Sequence, residues 1–278
     1  MIKIGHYNTL RILRETSVGL FLGDDSGEDV LLPNKYCPEE FEIDDMIEVF
    51  VYLDYDERKI ATNIHPKILM HEFALLEVAA VSENGAFLEW GLEKHLLVPF
   101  KEQRQKMEEG RWYIVRLELD EMTQRLYGSN KIEKRLDNTN LEIEEGDEVE
   151  ALVYRKTDFG YSVIINHKLK GLIYENEVFT ELNIGEKHKA WVKKIREENK
   201  VDISLQPIGY ENAISEHSQR VYDTLKNNNG FLALNDKSAP EDIYNRFSIS
   251  KKAFKKAIGD LYKHRKISIS KKGIKIIE

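Results

Sequence analysis

Apolar positions recur every second residue in short runs through the first 205 residues, a period that predicts strands. The third block of such runs is the clearest. Val149, Ala151 and Val153 share one face of a first strand. Runs at 161–165 and 171–174 predict two more, and 188–195 and 201–205 the last two. A short helical turn over 175–182, closed by Asn183 and Gly185, separates the third strand from the fourth. The polar stretch 196–200 turns the fourth into the fifth. Five strands in this order fit a closed Greek-key barrel of the oligonucleotide-binding (OB) type.

The same pattern stands twice more upstream. Gly19, Gly85 and Gly160 hold one position, at offsets of 66 and then 75 residues. Fourteen residues later come Pro33, Pro99 and Tyr174, and 26 further on Lys59, Arg125 and Lys200. Asp44, Gly110 and Gly185 lie between these, and Ile12, Val78 and Val153 precede them, with no insertion inside any unit. Three tandem barrels are expected, over residues 1–66, 67–138 and 139–207.

After residue 205 the period lengthens. Ile214, Val221 and Leu225 line one helix face, ended by Asn227 to Gly230. A short strand begins at Phe231. Ser238 is expected to cap a second helix that has Pro240 in its first turn. Ser248 or Ser250 caps a third helix reaching about Lys263, and a hairpin turns around Lys271, Lys272 and Gly273. This order, over residues 211–278, is that of a winged helix-turn-helix. The fold class is therefore mainly β with a C-terminal α+β domain.

Charge sharpens the picture. The chain carries a net −8, but from Glu211 onward 14 Lys and Arg stand against 8 Asp and Glu. On the third helix Phe254, Ala257, Ile258 and Leu261 gather on one side, and Lys252, Lys255, Lys256, Lys263 and Lys266 on the other, with Gly259 among them. A basic stripe facing a gap suits a phosphate backbone, and Lys271 and Lys272 of the wing add to it. Residues that read base edges are scarce there, so positioning contacts are expected. Residues 1–66 carry 6 basic against 14 acidic residues, which should repel phosphates.

The third block resembles an S1 RNA-binding domain. Gly146-Asp147, Phe159-Gly160, Gly171-Leu172-Ile173 and Lys200 match that family's motifs. Ser162 stands where a second aromatic is usual, Tyr174 where a histidine is, and Arg196 where an acid is. The first two blocks keep the second-strand aromatic as Phe21 and Phe87 but carry Pro33 and Pro99 at the stacking position. Three S1-like barrels and a winged helix form the layout of the conserved virulence factor B family. That resemblance implies a non-catalytic, regulatory RNA-binding protein. Single-stranded RNA would stack on Phe159, Tyr161 and Tyr174, with Phe21 and Phe87 as counterparts, beside Lys156, Lys168, Lys193, Lys194 and Lys200. Alternation along the strand forbids Tyr161 and Ser162 from both facing the ligand. Trp191 is expected in the core.

Neither phosphate-binding glycine motif occurs, the eight histidines are scattered, and Cys37 is the one cysteine. No enzyme, metal or cofactor is expected. A polar N-terminus and the lack of an apolar run near ~20 residues lead to a cytoplasmic protein with no membrane contact, and a monomer is the favoured assembly. Two alternatives stay open: a scaffold docking a protein partner, and a DNA-binding regulator acting through the winged helix.

Overall fold

The computed structural model describes residues 1–178, 181–207 and 216–277. Met1–Leu205 form one compact unit and Gln206–Glu278 a second. In the first, β1 (Tyr7–Thr16), β2 (Gly19–Gly23), β3 (Asp29–Pro33), β4 (Met46–Leu53) and β5 (Lys59–Thr62) close into a barrel, order β1-β2-β3-β5-β4. The same order recurs in β6 (Phe73–Ser82), β7 (Gly85–Glu89), β8 (Leu96–Pro99), β9 (Trp112–Asp120) and β10 (Arg125–Ser129). It recurs again, closed, in β11 (Glu148–Thr157), β12 (Gly160–Ile165), β13 (Leu169–Tyr174), β14 (Lys187–Ile195) and β15 (Val201–Ser204). In the middle sheet β8 and β10 are the two edges. Side chains fill their seam: a Cβ on Gly128 of β10 would stand 2.7 Å from Val98 Cγ2 and 3.3 Å from Leu96 Cδ2 of β8.

The repeat has a physical basis at each position. Ile12, Val78 and Val153 each sit at a β-bulge in the first strand of their unit. Their carbonyls accept from the N–H groups of Asp44, Gly110 and Gly185 at 2.9, 2.9 and 2.8 Å. These donors have φ of 76°, 74° and 93°, a left-handed turn that Gly or Asp tolerates. Gly19, Gly85 and Gly160 have φ of 146°, 145° and 142°. A Cβ there would lie 2.0, 2.3 and 2.1 Å from the carbonyl oxygens of Leu32, Val98 and Ile173. Only glycine lets the second and third strands approach so closely.

The barrels share side chains across their borders. Phe50 and Tyr52 of β4 belong to the apolar core that holds Trp90 and Leu117 of the second sheet. Their rings meet Trp90 edge-on at 6.0 and 6.4 Å. In return, Leu119 and Leu126 pack on the first barrel's core. The second and third barrels join through Phe73, Ile114, Leu152, Tyr154 and Ile164. Next to this cluster the Phe73 N–H donates to His167 Nδ1 at 2.9 Å, and burial lowers the histidine's pKa. The expected turn over 175–182 is a 3-10 turn at Glu175–Glu177, with residues 179 and 180 outside the described ones.

The second unit runs α1 (Glu216–Asn227), β16 (Phe231–Leu232), α2 (Pro240–Phe247), α3 (Lys251–Lys263), β17 (Ile267–Ser270) and β18 (Gly273–Ile276), sheet order β16-β18-β17. Val221 and Leu225 of α1 pack with Phe247, Phe254, Leu261 and Ile274 in one core. Ile214, expected on that helix, lies outside the described residues. Ser238 does not cap α2. Ala239 holds the cap position, and the Ser238 hydroxyl instead accepts from the Asn235 N–H at 2.9 Å in the preceding turn. Ser250 caps α3, accepting from the Ala253 N–H at 3.2 Å.

Candidate nucleic-acid interface

Strand β12 sets the site. Its inward side chains, Tyr161, Val163 and Ile165, belong to the third barrel's core. Its outward ones divide: Ile164 packs toward the second barrel, and Ser162 lines an open pocket of about 450 Å³. Tyr161, expected on the ligand face, is therefore corrected to a core residue, 5% exposed. The period of two leaves no other outcome once Val163 is inside.

Phe159 precedes β12 and is 73% exposed. Its carbonyl accepts from the Glu175 N–H at 3.1 Å, and Gly160 pairs with Tyr174 across the β12–β13 ladder. Both rings thus line the same pocket, joined by Leu172, Arg196 and Lys200. The Arg196 guanidinium carbon stands 5.3 Å from the Tyr174 ring centroid. Arg196 Nε donates to Asp202 Oδ2 at 2.6 Å, and that bond raises the arginine's already high pKa. The Asp202 carboxylate is buried, so it fixes the guanidinium from beneath while leaving it half exposed. Lys200 reaches Glu198 at 2.6 Å, and Lys170, also lining the pocket, reaches Glu133 at 2.8 Å.

The other expected cations fall outside this pocket. Lys156 lies 3.9 Å from Glu175, Lys168 pairs with Glu142 at 2.6 Å and Lys193 with Glu177 at 2.7 Å. Lys194 is exposed on β14. Trp191 is half-buried rather than in the core, with Lys189 Nζ 5.7 Å from its ring. It shares the outward face of β14 with Lys187 and Lys189, a side the barrel does not close over. Phe21 is half-buried beneath Arg14, whose guanidinium carbon lies 4.1 Å from the ring and which also holds Asp29 at 2.8 Å. Phe87 lines a separate pocket shared by the first and second barrels.

On α3, Lys252, Lys255, Lys256 and Lys263 are exposed opposite the buried Phe254, Ala257, Ile258 and Leu261. Lys266 is not on the helix. The helix stops at Lys263, and Arg265 takes a left-handed φ of 54° before the first wing strand. Lys271 and Lys272 are exposed in the wing turn. A Cβ on Gly259 would meet nothing within 4 Å, so the glycine leaves an open notch. Arg196, a departure from the S1 pattern, and Ser162 also line the third-barrel pocket, although the sequence alone does not single them out. Nor does it single out Tyr262, 58% exposed, although seven residues after Lys255 place it on the same helical face.

Among the described residues no three His, Cys, Asp or Glu side chains gather as a metal site, and no helix is long and apolar enough to cross a membrane. What the third barrel presents is aromatic surface beside an anchored arginine, and α3 of the winged helix presents exposed lysines.

Tandem OB barrels followed by a winged helix, with rings and cations on their surfaces, define a nucleic-acid-binding class of protein. An S1 domain model matches residues 4–63, the first barrel, and a CvfB-like winged helix domain model matches residues 219–276. The chain is 30% identical over 277 residues to YitL of Bacillus subtilis (strain 168), covering 96% of this chain and 91% of that one. It is 28% identical over 287 residues to conserved virulence factor B of Staphylococcus epidermidis (strain ATCC 12228), covering 97% and 96%. A solved multidomain protein with nucleic acid binding domains from Streptococcus pneumoniae TIGR4 is 26% identical, with a TM-score of 0.42, and covers 99% of this chain and 98% of its own. The chain belongs to the conserved virulence factor B family.

Proposed function

We propose that this protein binds single-stranded RNA in the cytoplasm and acts without chemistry, as a post-transcriptional regulator. The observation that carries the reading is the pair of rings at one pocket of the third barrel: Phe159 open to solvent, and Tyr174 beside an arginine anchored on a buried aspartate. A base stacks on any such ring whatever its identity, and Arg196 and Lys200 offer charge to the backbone. The winged helix adds phosphate contacts from Lys252, Lys255 and the wing. The acidic first barrel, with Phe21 capped by Arg14, serves as a spacer or faces a protein partner.

Fluorescence anisotropy with an unstructured RNA oligonucleotide, titrated across salt, tests this. Affinity should fall as salt rises, with a slope of about −0.7 per phosphate contacted. No binding at low salt, or tighter binding of duplex DNA, overturns the reading.

Gly259→Ala separates the helix's role from its stability. The methyl meets no atom, so the second unit should gain about 1 kcal/mol from helix propensity and melt higher. RNA affinity should nonetheless drop, because the notch that admits a backbone is filled. A higher melting temperature with unchanged affinity removes α3 from the interface.

A further inference from the structure

The pocket of about 350 Å³ between the first two barrels is the second barrel's copy of the third-barrel site. The 75-residue offset relates Phe87 to Ser162, Leu97 to Leu172, Pro99 to Tyr174 and Arg125 to Lys200. The pairing agrees: Gly85 faces Pro99 as Gly160 faces Tyr174, with φ of 145° and 142°. The surroundings differ. In the third barrel this end carries an open groove. In the second, Tyr52, Leu53 and Glu57 of the first barrel form a wall, and Arg125 is ion-paired to Glu57 across the border. A strand can run along the third-barrel groove, whereas here the wall stops it.

We infer that this pocket takes a single nucleotide, either free or at the end of an RNA strand. Apolar surface from Phe87, Leu97 and Pro99 suits the flat face of a base, and the volume lies at the small end of ligand pockets. Lys101, exposed at the lining, supplies positive charge for a phosphate. The Asp120 carboxylate in the same lining suits a ribose hydroxyl as an acceptor. The inference extends the nucleic-acid reading but uses none of the third-barrel residues.

Calorimetric titration of the full chain with adenosine and uridine 5′-monophosphates, and with the corresponding nucleosides, tests it. Saturable binding of the monophosphates is expected, with nucleosides roughly tenfold weaker for want of the charged contact. Lys101→Ala, a surface change, should weaken monophosphate binding by a similar factor, and Phe87→Ala should weaken both ligand types. The double change Phe159→Ala and Tyr174→Ala should leave monophosphate binding intact while reducing oligonucleotide binding. No saturable binding at millimolar concentration overturns the inference, as does equal affinity in the Lys101→Ala protein or loss of binding in the third-barrel double variant. Linear and circularised forms of one oligonucleotide distinguish the two sources. Competition with the monophosphate by the linear form alone assigns the pocket to a strand end, and competition by neither assigns it to the free nucleotide. Equal competition by the circular form overturns the single-nucleotide limit.

Discussion

Replacing Phe159 and Tyr174 together by alanine will lower the affinity for single-stranded RNA by roughly two orders of magnitude, since each stacked base contributes ~1–3 kcal/mol. The fold should survive the change. Phe159 is largely in solvent, and Tyr174 is half-buried on the barrel's outer surface rather than inside it. The bonds that shape this end of the barrel are from the backbone: Glu175 N–H to the Phe159 carbonyl, and the β12–β13 ladder. Neither depends on a ring. Arg196 keeps its bond to Asp202 in the variant, so residual electrostatic binding should persist and remain sensitive to salt. Anisotropy titration beside a thermal melt reads both quantities. A folded double variant with native affinity would remove the rings from the interface.

Gly160→Ala will have the largest effect on the fold. The new Cβ would stand 2.1 Å from the Ile173 carbonyl oxygen and 2.7 Å from the Glu175 nitrogen, both backbone atoms. No rotamer change can relieve a clash with backbone, and φ of 142° is in itself strained for alanine. The cost should be about 3 kcal/mol or more, expressed in the third barrel. Because the chain has several folding units, a single melting temperature is a poor measure. Hydrogen exchange across β12 and β13 is the direct one, and protection equal to that of the native protein would contradict the argument. The contrast with Gly259→Ala is instructive, since the same substitution meets backbone at one site and empty space at the other.

The repeated glycines also show what can be read from a sequence. Gly19, Gly85 and Gly160 stood out through spacing alone, and each is a place where two strands approach too closely for any side chain. The alignment of Asp44, Gly110 and Gly185 with Ile12, Val78 and Val153 turned out to be one pair of backbone bonds made three times. Such features are local, so chain spacing carries them. The site was less legible because it depends on neighbours distant in sequence. Tyr161 and Ser162 differ by one residue, and which of them points outward is set by pairing with β11 and β13. Arg196 reads as a mere departure until Asp202 and Tyr174 lie beside it. Phe87 keeps its aromatic character in the sequence, and nothing near it tells that Tyr52 and Leu53 of another barrel stand over it. Lys266 continues the lysine spacing of α3, but the helix ends at Lys263 and Arg265 turns the chain with a left-handed φ.

Phe50 and Tyr52 are encoded in the first repeat but packed in the core of the second, and Leu119 and Leu126 make the reverse exchange. The first two copies therefore each complete part of the other's core. A lineage that lost or duplicated one of the first two copies would strip apolar surface from the survivor, so these two are constrained to be inherited as a block. The second and third copies are tied in the same way by Phe73, Leu152, Tyr154 and Ile164, so copy number in this family should stay at three.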